Sequence, residues 1–195
     1  MIRLETCTGA GVLPHLPALS RLRAEVFAEW PYLYDADPAE ESEHLRRYAE
    51  GEGAAVILAL DGAEAVGAAT CQPMSQAATA VRGAFEAAGR DPGRHCYFGE
   101  SVLRREFRGQ GLGVAFLAAR EAVARAHGLA TAAFCAVERD PADPRRPAGH
   151  VPLDGFWRRR GYVNHPALAC CFAWPEIGGT GPVPHRLSFW LKALA

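Results

Sequence analysis

A glycine-rich segment in the middle of the chain has residue types and a spacing suited to holding an anion. Residues 108–113 read Arg-Gly-Gln-Gly-Leu-Gly. Glycines allow a backbone to turn tightly and leave its N–H groups uncovered. If a helix begins directly after them, its first-turn amides and the positive end of its dipole point at the same place. The segment therefore predicts a cradle for a phosphate or pyrophosphate group.

Two common phosphate-binding motifs do not fit this segment. The dinucleotide-binding pattern G-x-G-x-x-G would require a third glycine at position 116, where the chain has Phe116. The P-loop requires Gly-Lys followed by Ser or Thr, and Lys192 is the only lysine of the chain. What remains is the pattern Arg108-x-x-Gly111-x-Gly113, and its meaning depends on the elements around it.

The flanking residues predict a strand before the segment and a helix after it. Cys96–Leu103 is an apolar, strand-like run, and Leu112–Ala126 is amphipathic and followed by Gly128 at the position of a helix C-cap. This arrangement resembles motif A of the GNAT acetyltransferases, which bind the pyrophosphate of acetyl-CoA. Residues 156–163, Phe-Trp-Arg-Arg-Arg-Gly-Tyr-Val, resemble a later short helix of the same family and its ending.

The other predicted elements follow the order that this family has. Further strands are predicted at Ile2–Cys7, Ala54–Leu60, Ala65–Cys71, Thr131–Val137, Tyr162–Trp174 and His185–Leu191. Further helices are predicted at Leu16–Phe27, Pro38–Glu50, Gln76–Ala88 and Asp154–Arg160. The resemblance implies one α/β domain over residues 1–195. Its central sheet is expected to be mixed but mostly antiparallel, flanked by helices, and splayed between the fourth and fifth strands.

The resemblance also implies which residues contact the co-substrate, acetyl-CoA. The backbone of Ser101, Val102 and Leu103 is expected to hydrogen-bond the pantetheine arm at a bulge. The pyrophosphate is expected on the amides of the loop, which are those of Gly109, Gln110, Gly111, Leu112 and Gly113. Arg108 would brace this loop. Arg159 is either a ligand of the nucleotide phosphates or a solvated arginine.

Acetyl transfer to an amine requires a base, because the amine must lose a proton as it attacks the thioester. Glu100 directly precedes the proposed pantetheine-binding residues and is the candidate, acting directly or through water. The alternative is a glutamate paired with a nearby arginine. Tyr97, Tyr162 and Cys135 are weaker candidates for the proton donor to the departing thiolate.

Three features depart from the family pattern. Trp157 stands where many members carry a tyrosine acid, and an indole N–H is too weak an acid for that role. Asp140 stands where an asparagine is common, and a Pro-rich insertion follows it. The helix Gln76–Ala88 is additional. The acceptor site is therefore expected to be particular to a subfamily.

The acceptor site is expected between the N-terminal helices and the closing strands. Aromatic rings and carboxylates that would suit a cationic amine occur together at Trp30, Tyr32, Tyr34, Asp35 and Asp37. The same residues could equally be core aromatics and a helix cap. His150 and His185 could also line the site.

Composition restricts the function classes. A formal net charge of -1 gives no overall attraction to nucleic acid or to an anionic membrane. The six cysteines lie mostly in apolar runs, without a CxxC spacing, so neither disulfides nor a metal site is expected. No leader or stretch of eighteen apolar residues is present, which predicts a cytoplasmic protein without membrane association. A homodimer is left open.

These patterns together predict an N-acetyltransferase. It would move the acetyl group of acetyl-CoA to a small-molecule or peptide amine by direct attack in a ternary complex. Transfer of another short acyl group is an alternative, since motif A contacts the CoA and not the acyl chain. A non-catalytic acyl-CoA-binding sensor or partner-binding domain is the other, and Trp157 is the feature that supports it.

Overall fold

The computed structural model of the chain describes residues 1–194, without the side chains at positions 38–40 and 42. Its helices and strands alternate from one end of this range to the other. In chain order they are β1 (Arg3–Cys7), α1 (Leu16–Phe27), α2 (Pro38–Glu50), β2 (Ala55–Asp61), β3 (Glu64–Pro73), α3 (Thr79–Ala87), β4 (His95–Leu103), α4 (Leu112–Ala126), β5 (Thr131–Val137), α5 (Asp154–Arg158), β6 (Val163–Pro175) and β7 (Pro182–Ala193).

Most element bounds agree with the sequence prediction, and those of α1, α4 and β5 agree at both ends. The main differences are at short helical turns. Residues Met74–Gln76 form a separate 3₁₀ turn, so α3 begins three residues later than predicted. A 3₁₀ helix at Gly9–His15, which contains Pro14, was not predicted, because a turn this short has too few residues to show helical periodicity.

The strands form one seven-stranded sheet in the order β1-β2-β3-β4-β5-β7-β6. Every neighbouring pair is antiparallel except β4 and β5, which are parallel. The predicted mixed, mostly antiparallel sheet is therefore confirmed. Strands from both ends of the chain belong to this one sheet. The last strand, β7, lies between β5 and β6.

The sheet splays between β4 and β5, as predicted. These strands pair only over His95–Tyr97 with Thr131–Ala133, and β4 continues to Leu103 without that partner. A bulge in the β3–β4 register, between Ala69 and Cys71, lies at the level where the strands separate. Since a bulge bends a strand and increases its twist, it accounts for the divergence of β4 from β5.

Helices cover both faces of the sheet. On one face, α4 and α5 pack on a cluster that includes Phe98, Phe116 and Trp190. On the other face, α1 packs on β3 and β4, α2 packs on β2, and α3 packs on β6 and β7 through Val81 and Phe85. The additional helix α3 therefore covers the sheet beyond the splay, where α1 and α2 do not reach.

The structure bears on two further expectations. All six cysteines are free. Among residues 1–194, no helix is both long and apolar enough to cross a membrane.

Candidate functional site

The glycine-rich segment adopts the geometry that an anion cradle requires. Gly109 and Gly111 have φ values of 76° and 84°, which side chains of L-residues rarely tolerate. Gly111 is the N-cap of α4, so the amides that follow it have no intrahelical partner. At Gly113, a Cβ atom would lie 3.3 Å from the ring of Phe156, so α5 packs directly on the start of α4. The loop therefore presents open main-chain donors at a positive helix end.

Arg108 ties this loop to β4 and to α1. Its Nε donates to the carbonyl of Leu103 at 2.9 Å, and its two terminal nitrogens donate to the carboxylate of Glu29 at 2.9 and 3.1 Å. Burial opposes ionisation of Glu29, but hydrogen bonds from Arg108 and Arg105 outweigh it and lower the pKa of that carboxyl group. These contacts link the loop to β4 and to the residues that follow α1, and the bracing role implied by the family resemblance stays a prediction.

The predicted pantetheine-binding residues line the gap between the strands. Ser101, Val102 and Leu103 pair with β3 on one side only, opposite Ala69, Ala68 and Gly67. Their other edge faces the space left by β5. An extended arm could add to this edge through main-chain hydrogen bonds, as a further strand would. The gap ends at the glycine loop, so an arm and a pyrophosphate could be held by continuous backbone.

Glu100 lies on β4 at the bulge, with its side chain turned toward α1 and α2. Its carboxylate forms an ion pair with Arg23, and its Oε1 accepts a hydrogen bond from His44 Nε2 at 2.9 Å. Its main chain is held on both sides, because its N–H donates to Thr70 Oγ1 at 3.0 Å and its carbonyl accepts from Arg120 at 3.1 Å. Pairing with an arginine, the alternative considered for this residue, is therefore present, and the carboxylate also adjoins a cavity.

That cavity was not predicted from the sequence. It has a volume of about 380 Å³ and is lined by polar residues of α1, α2 and the segment between them, namely Arg23, Tyr34, Glu41, Glu43, His44 and Arg47. Glu41 and His44 are three residues apart on α2, in phase with the buried Leu45 and Tyr48. Their helical spacing was the available signal, since residues three and four apart share a helix face.

The charged side chains next to this cavity are grouped around Arg23. The Arg23 guanidinium is 8% exposed and pairs with both Glu41 and Glu100, whose side chains are 2% and 14% exposed. Burial, and then the charges of Arg23 and Arg47, lower the pKa of His44, so its imidazole is neutral near pH 7. One buried guanidinium therefore faces two carboxylates and a neutral histidine.

The aromatic segment proposed for the acceptor site divides between cavity and core. Tyr34 lines the cavity. Tyr32 packs between Phe27 and Trp174, with ring centroids 4.7 and 5.8 Å away. Trp30 lies under the guanidinium of Arg139 at 5.6 Å and meets His150 edge-on at 6.1 Å. Asp35 donates its N–H to the carbonyl of Pro175, and Asp37 precedes α2. The segment thus joins the N-terminal helices to the closing strands, and Tyr34 is its residue at the cavity.

Arg139 and Glu176 fasten the Pro-rich insertion to this junction. Arg139 donates to the carbonyls of Pro31 and Tyr32 at 2.6 and 2.8 Å and pairs with Glu176, which also pairs with Arg145. His185 stacks on Trp174 with ring centroids 3.7 Å apart. Burial and then Arg139 lower the pKa of His185. The residues that follow Asp140 are therefore held against the protein by ion pairs.

The two tyrosine candidates for the proton donor are poorly suited to donating a proton near neutral pH. The hydroxyl of Tyr97 is 3.3 Å from Cys135 Sγ, and burial followed by the nearby thiol raises the pKa of Tyr97. The Tyr162 hydroxyl donates to Glu121 at 3.0 Å, and burial followed by that carboxylate raises its pKa. Trp157 packs against Phe134 and Trp190, each with ring centroids 5.0 Å away. The aromatic wall on this side is apolar.

Arg159 remains outside these contacts. It follows α5 as its C-cap and its side chain is exposed. Its guanidinium lies near Gly155, at which a Cβ atom would be 3.4 Å away from Nη1. The structure places it at the end of a helix that packs on the glycine loop, so both interpretations made from the sequence stay open.

One group of side chains has the composition of a metal site. Glu5, Cys7 and His15, on β1 and the 3₁₀ helix after it, bring their ligand atoms within 4.8 Å of one another. Tetrahedral zinc sites have neighbouring ligands roughly 3.5 Å apart, and one oxygen of Glu5 already binds Arg3 at 2.6 Å. This group is looser than a preformed site and lies on the edge strand, not at the splay.

Comparison with known proteins agrees with the fold. A family model described as the acetyltransferase (GNAT) family matches residues 19–147. The ribosomal-protein-alanine N-acetyltransferase of Brucella melitensis superposes with a TM-score of 0.63 at 16% identity, over 98% of this chain and 99% of that one. The paia N-acetyltransferase of Thermoplasma acidophilum, solved in complex with coenzyme A, gives 0.60 at 10% identity, over 99% of each chain.

A third solved structure shows that the same fold accompanies other chemistry. A GNAT-like decarboxylase in complex with isobutyryl-CoA superposes with a TM-score of 0.59 at 20% identity, over 99% of this chain and 100% of that one. At these identities the likeness shows the fold alone. No curated protein matches the chain by sequence.

Proposed function

Since the chain belongs to the acetyltransferase (GNAT) family, which its match over residues 19–147 establishes, we propose that it transfers the acetyl group of acetyl-CoA to an amine by direct attack in a ternary complex. The proposal assigns one acyl-CoA N-acyltransferase domain to residues 1–195. The observation that carries it is the gap between β4 and β5. This gap has an open main-chain edge at Ser101–Leu103, a glycine loop at one end and the carboxylate of Glu100 at the other.

In this proposal the loop and strand hold the CoA. The pyrophosphate lies on the amides of Gly109–Gly113 at the N-terminus of α4, where fixed donors and the helix dipole favour an anion. The pantetheine arm runs along Ser101–Leu103, and Arg159 is offered as a contact of the nucleotide phosphates. The support is the positive φ of Gly109 and Gly111 and, among residues 1–194, the absence of a strand pairing on the β5 side of β4 beyond Tyr97.

The reaction needs one base and correct placement of the amine. The amine nitrogen attacks the thioester carbonyl carbon, the bond from that carbon to sulfur breaks, and CoA leaves as the thiolate. Glu100 takes the proton that the nitrogen loses, directly or through one water. Each Glu100 oxygen already has one partner, Arg23 or His44. A carboxylate oxygen has two lone pairs, so the amine or a bridging water would use the second one.

Release of CoA does not demand a side-chain acid. A thiol has a pKa of about 8.5, so its thiolate is a tolerable leaving group near neutral pH. Trp157 can then serve as part of the apolar wall formed with Phe134 and Trp190. The raised pKa values of Tyr97 and Tyr162 fit the same view.

The test is an acceptor screen with acetyl-CoA that follows the release of free thiol, with mass spectrometry of the products. We expect an acetylated amine and thiol in equal amounts. Propionyl-CoA and isobutyryl-CoA in parallel reveal any preference for another acyl group. Thiol release without an acetylated amine would indicate hydrolysis and would contradict the proposal.

Trp157 supports a second candidate, an acyl-CoA-binding sensor without turnover. Its indole stands where many family members carry the tyrosine acid, and it is packed among aromatic rings. A sensor would bind acetyl-CoA, release no thiol with any amine, and gain thiol release in Trp157→Tyr. A working transferase would show at most a modest change in that variant.

A further inference from the structure

The cavity beside Glu100 has two regions of opposite charge. This inference rests on the proposed function, because it concerns the amine that the function requires. The first region is the buried group of Arg23, Glu41 and Glu100, in which one guanidinium faces two carboxylates. One guanidinium and two carboxylates leave this group with an excess of one negative charge next to the cavity. An ammonium group entering here would balance it.

The second region is formed by Arg47, one turn further along α2 from His44. Its side chain lines the cavity and acts on His44 through its charge. The carboxylates near it are already used, since Glu41 pairs with Arg23, and Glu43, 72% exposed, lies 3.8 Å from Arg46. Among the side chains that the structure describes, Arg47 has no ion pair or hydrogen bond. It is therefore the cation that can meet a group on a ligand.

The rest of the wall favours a small polar ligand. Among the side chains that the structure describes, each of the six that line the cavity carries a charged or hydrogen-bonding group. A volume of about 380 Å³ is sufficient for a compact molecule but not for a folded peptide segment. A guanidinium fork binds a carboxylate through two parallel hydrogen bonds, so an acid group would suit Arg47 in geometry as well as in charge.

We infer that the acceptor is a compact primary amine that also carries a carboxylate. Its amine would lie toward Glu100 and its carboxylate would bind Arg47. The amine then reaches the carboxylate that takes its proton, while the acid group orients the molecule from the other side of the cavity. An amine without an acid group would leave Arg47 unpaired and would be held only at one end.

The experiment uses matched sets of ligands that differ in the acid group alone. Each set contains an amino acid, its carboxamide and the corresponding amine without the acid, for the common α-amino acids and for β-alanine and 4-aminobutyrate. Binding to the protein saturated with CoA is measured by calorimetry, which needs no turnover, and thiol release from acetyl-CoA is measured separately. We expect at least one acid to bind with a Kd, and to react with a KM, roughly tenfold lower than those of its amide and its acid-free amine.

Three variants of two neighbouring arginines sharpen this test. Arg47→Ala should remove the preference for the acid by raising KM with little effect on kcat, and Arg47→Lys should restore part of it. Arg46→Ala is the matched control, because Arg46 is on the same helix, is 49% exposed and does not line the cavity. It should keep the preference. An unchanged rise in melting temperature with acetyl-CoA shows that each variant is folded.

The outcomes separate this inference from the proposed function. Thiol release with amides or simple amines as fast as with acids, a peptide amine as the preferred acceptor, or an acid preference that survives Arg47→Ala would overturn the inference and leave the transferase in place. Binding that depends on the acid group and on Arg47, without any thiol release, would contradict the proposed transferase function. The inferred class of ligand, an amine that carries a carboxylate, would stand. If no amine of any set binds or reacts, the inference is wrong.

Discussion

Glu100 is held by four elements at once, through both its carboxylate and its main chain. Its carboxylate contacts Arg23 on α1 and His44 on α2, and its main chain bonds Thr70 on β3 and Arg120 on α4. A base must be positioned within hydrogen-bond reach of the proton that it accepts. These contacts fix Glu100 beside the gap between β4 and β5, where the thioester would lie.

Replacing this carboxylate tests its part in the reaction. Glu100→Gln should lower kcat by roughly 10²–10⁴-fold if Glu100 accepts the amine proton, while the affinity for acetyl-CoA stays nearly unchanged. The loss should shrink at high pH, where more of the acceptor is already neutral. Steady-state kinetics over a range of pH measure this. Glu86→Gln on the exposed face of α3 is the control. Activity within about twofold of wild type would make Glu100 structural only.

Position 99, one residue before Glu100, requires glycine because a side chain would not fit there, and not because of its φ angle. A Cβ atom here would overlap the Tyr48 hydroxyl and lie 2.7 Å from Thr70 Oγ1. Gly99→Ala should therefore destabilise the protein by about 1–3 kcal/mol through overpacking at the bulge. Gly83→Ala, inside α3 with nothing within 4 Å of its Cβ, should instead stabilise it by roughly 0.5–1 kcal/mol. Urea unfolding of both variants checks this contrast, and equal effects would show that Gly99 is not sterically required.

At the scale of elements, α4 and its glycine loop act as one unit. Arg108 holds the loop on β4 and Glu29, while Phe156 of α5 packs on Gly113. The open amides therefore keep a fixed direction before any ligand arrives. Such preorganisation reduces the ordering cost of binding.

A charge placed in this loop should abolish CoA binding. Acetyl-CoA is expected to raise the melting temperature of the wild type, and the rise should grow with the logarithm of its excess over the dissociation constant. Gly111→Glu puts a side chain and a negative charge where the pyrophosphate would lie, so the rise should vanish. Gly62→Glu is a matched control, because Gly62 also has a positive φ, of 59°, but lies in the β2–β3 hairpin. An undiminished rise in folded Gly111→Glu would remove the loop from the site.

The Pro-rich insertion shows how a long connection can be ordered without secondary structure. Arg139 and Arg145 share the carboxylate of Glu176, and Arg139 also caps two carbonyls of the aromatic segment. Burial disfavours the charge of Glu176, but hydrogen bonds from both arginines prevail and lower its pKa. The insertion, the aromatic segment and the β6–β7 hairpin therefore support one another.

At the scale of the whole molecule, histidines should make stability depend on pH. Burial is the largest cause of a lowered pKa at His44, His95, His150, His165 and His185. In the unfolded chain, histidine takes up a proton near pH 6.5. Below that pH the unfolded chain binds more protons than the folded protein, so the free energy of unfolding falls as the pH drops.

Urea unfolding near pH 7.5 and about pH 5.5, on either side of the ordinary histidine pKa, measures this dependence. We expect a lower midpoint at the acidic pH. His44→Gln should reduce the difference, by a limited amount because the His44 side chain is 39% exposed. His127→Gln, at the end of α4, should leave the difference as it is. The same pH dependence in His44→Gln as in wild type would show that His44 does not contribute.

The sequence by itself determined the elements and the glycine-rich loop of this protein. Both bounds of α1 and α4 follow from apolar residues at helical spacing and from end signals such as Gly128. The pattern Arg108-x-x-Gly111-x-Gly113 between a strand and a helix indicated the family. These signals are short-range, because periodicity, caps and turn residues act within a few positions along the chain.

Only the tertiary structure decided what surrounds Glu100. His44 is 56 positions away from it in the chain, and Arg23 and Glu41 come from two different helices. The sequence lists these charges, but which of them pair depends on how α1 and α2 cross the sheet and on where the bulge turns β4. Burial then sets their protonation, since taking a group out of water shifts its pKa according to its final neighbours. The cavity, the lowered pKa of His44 and the position of Arg47, which has no ion pair among the described side chains, therefore followed from packing between distant segments.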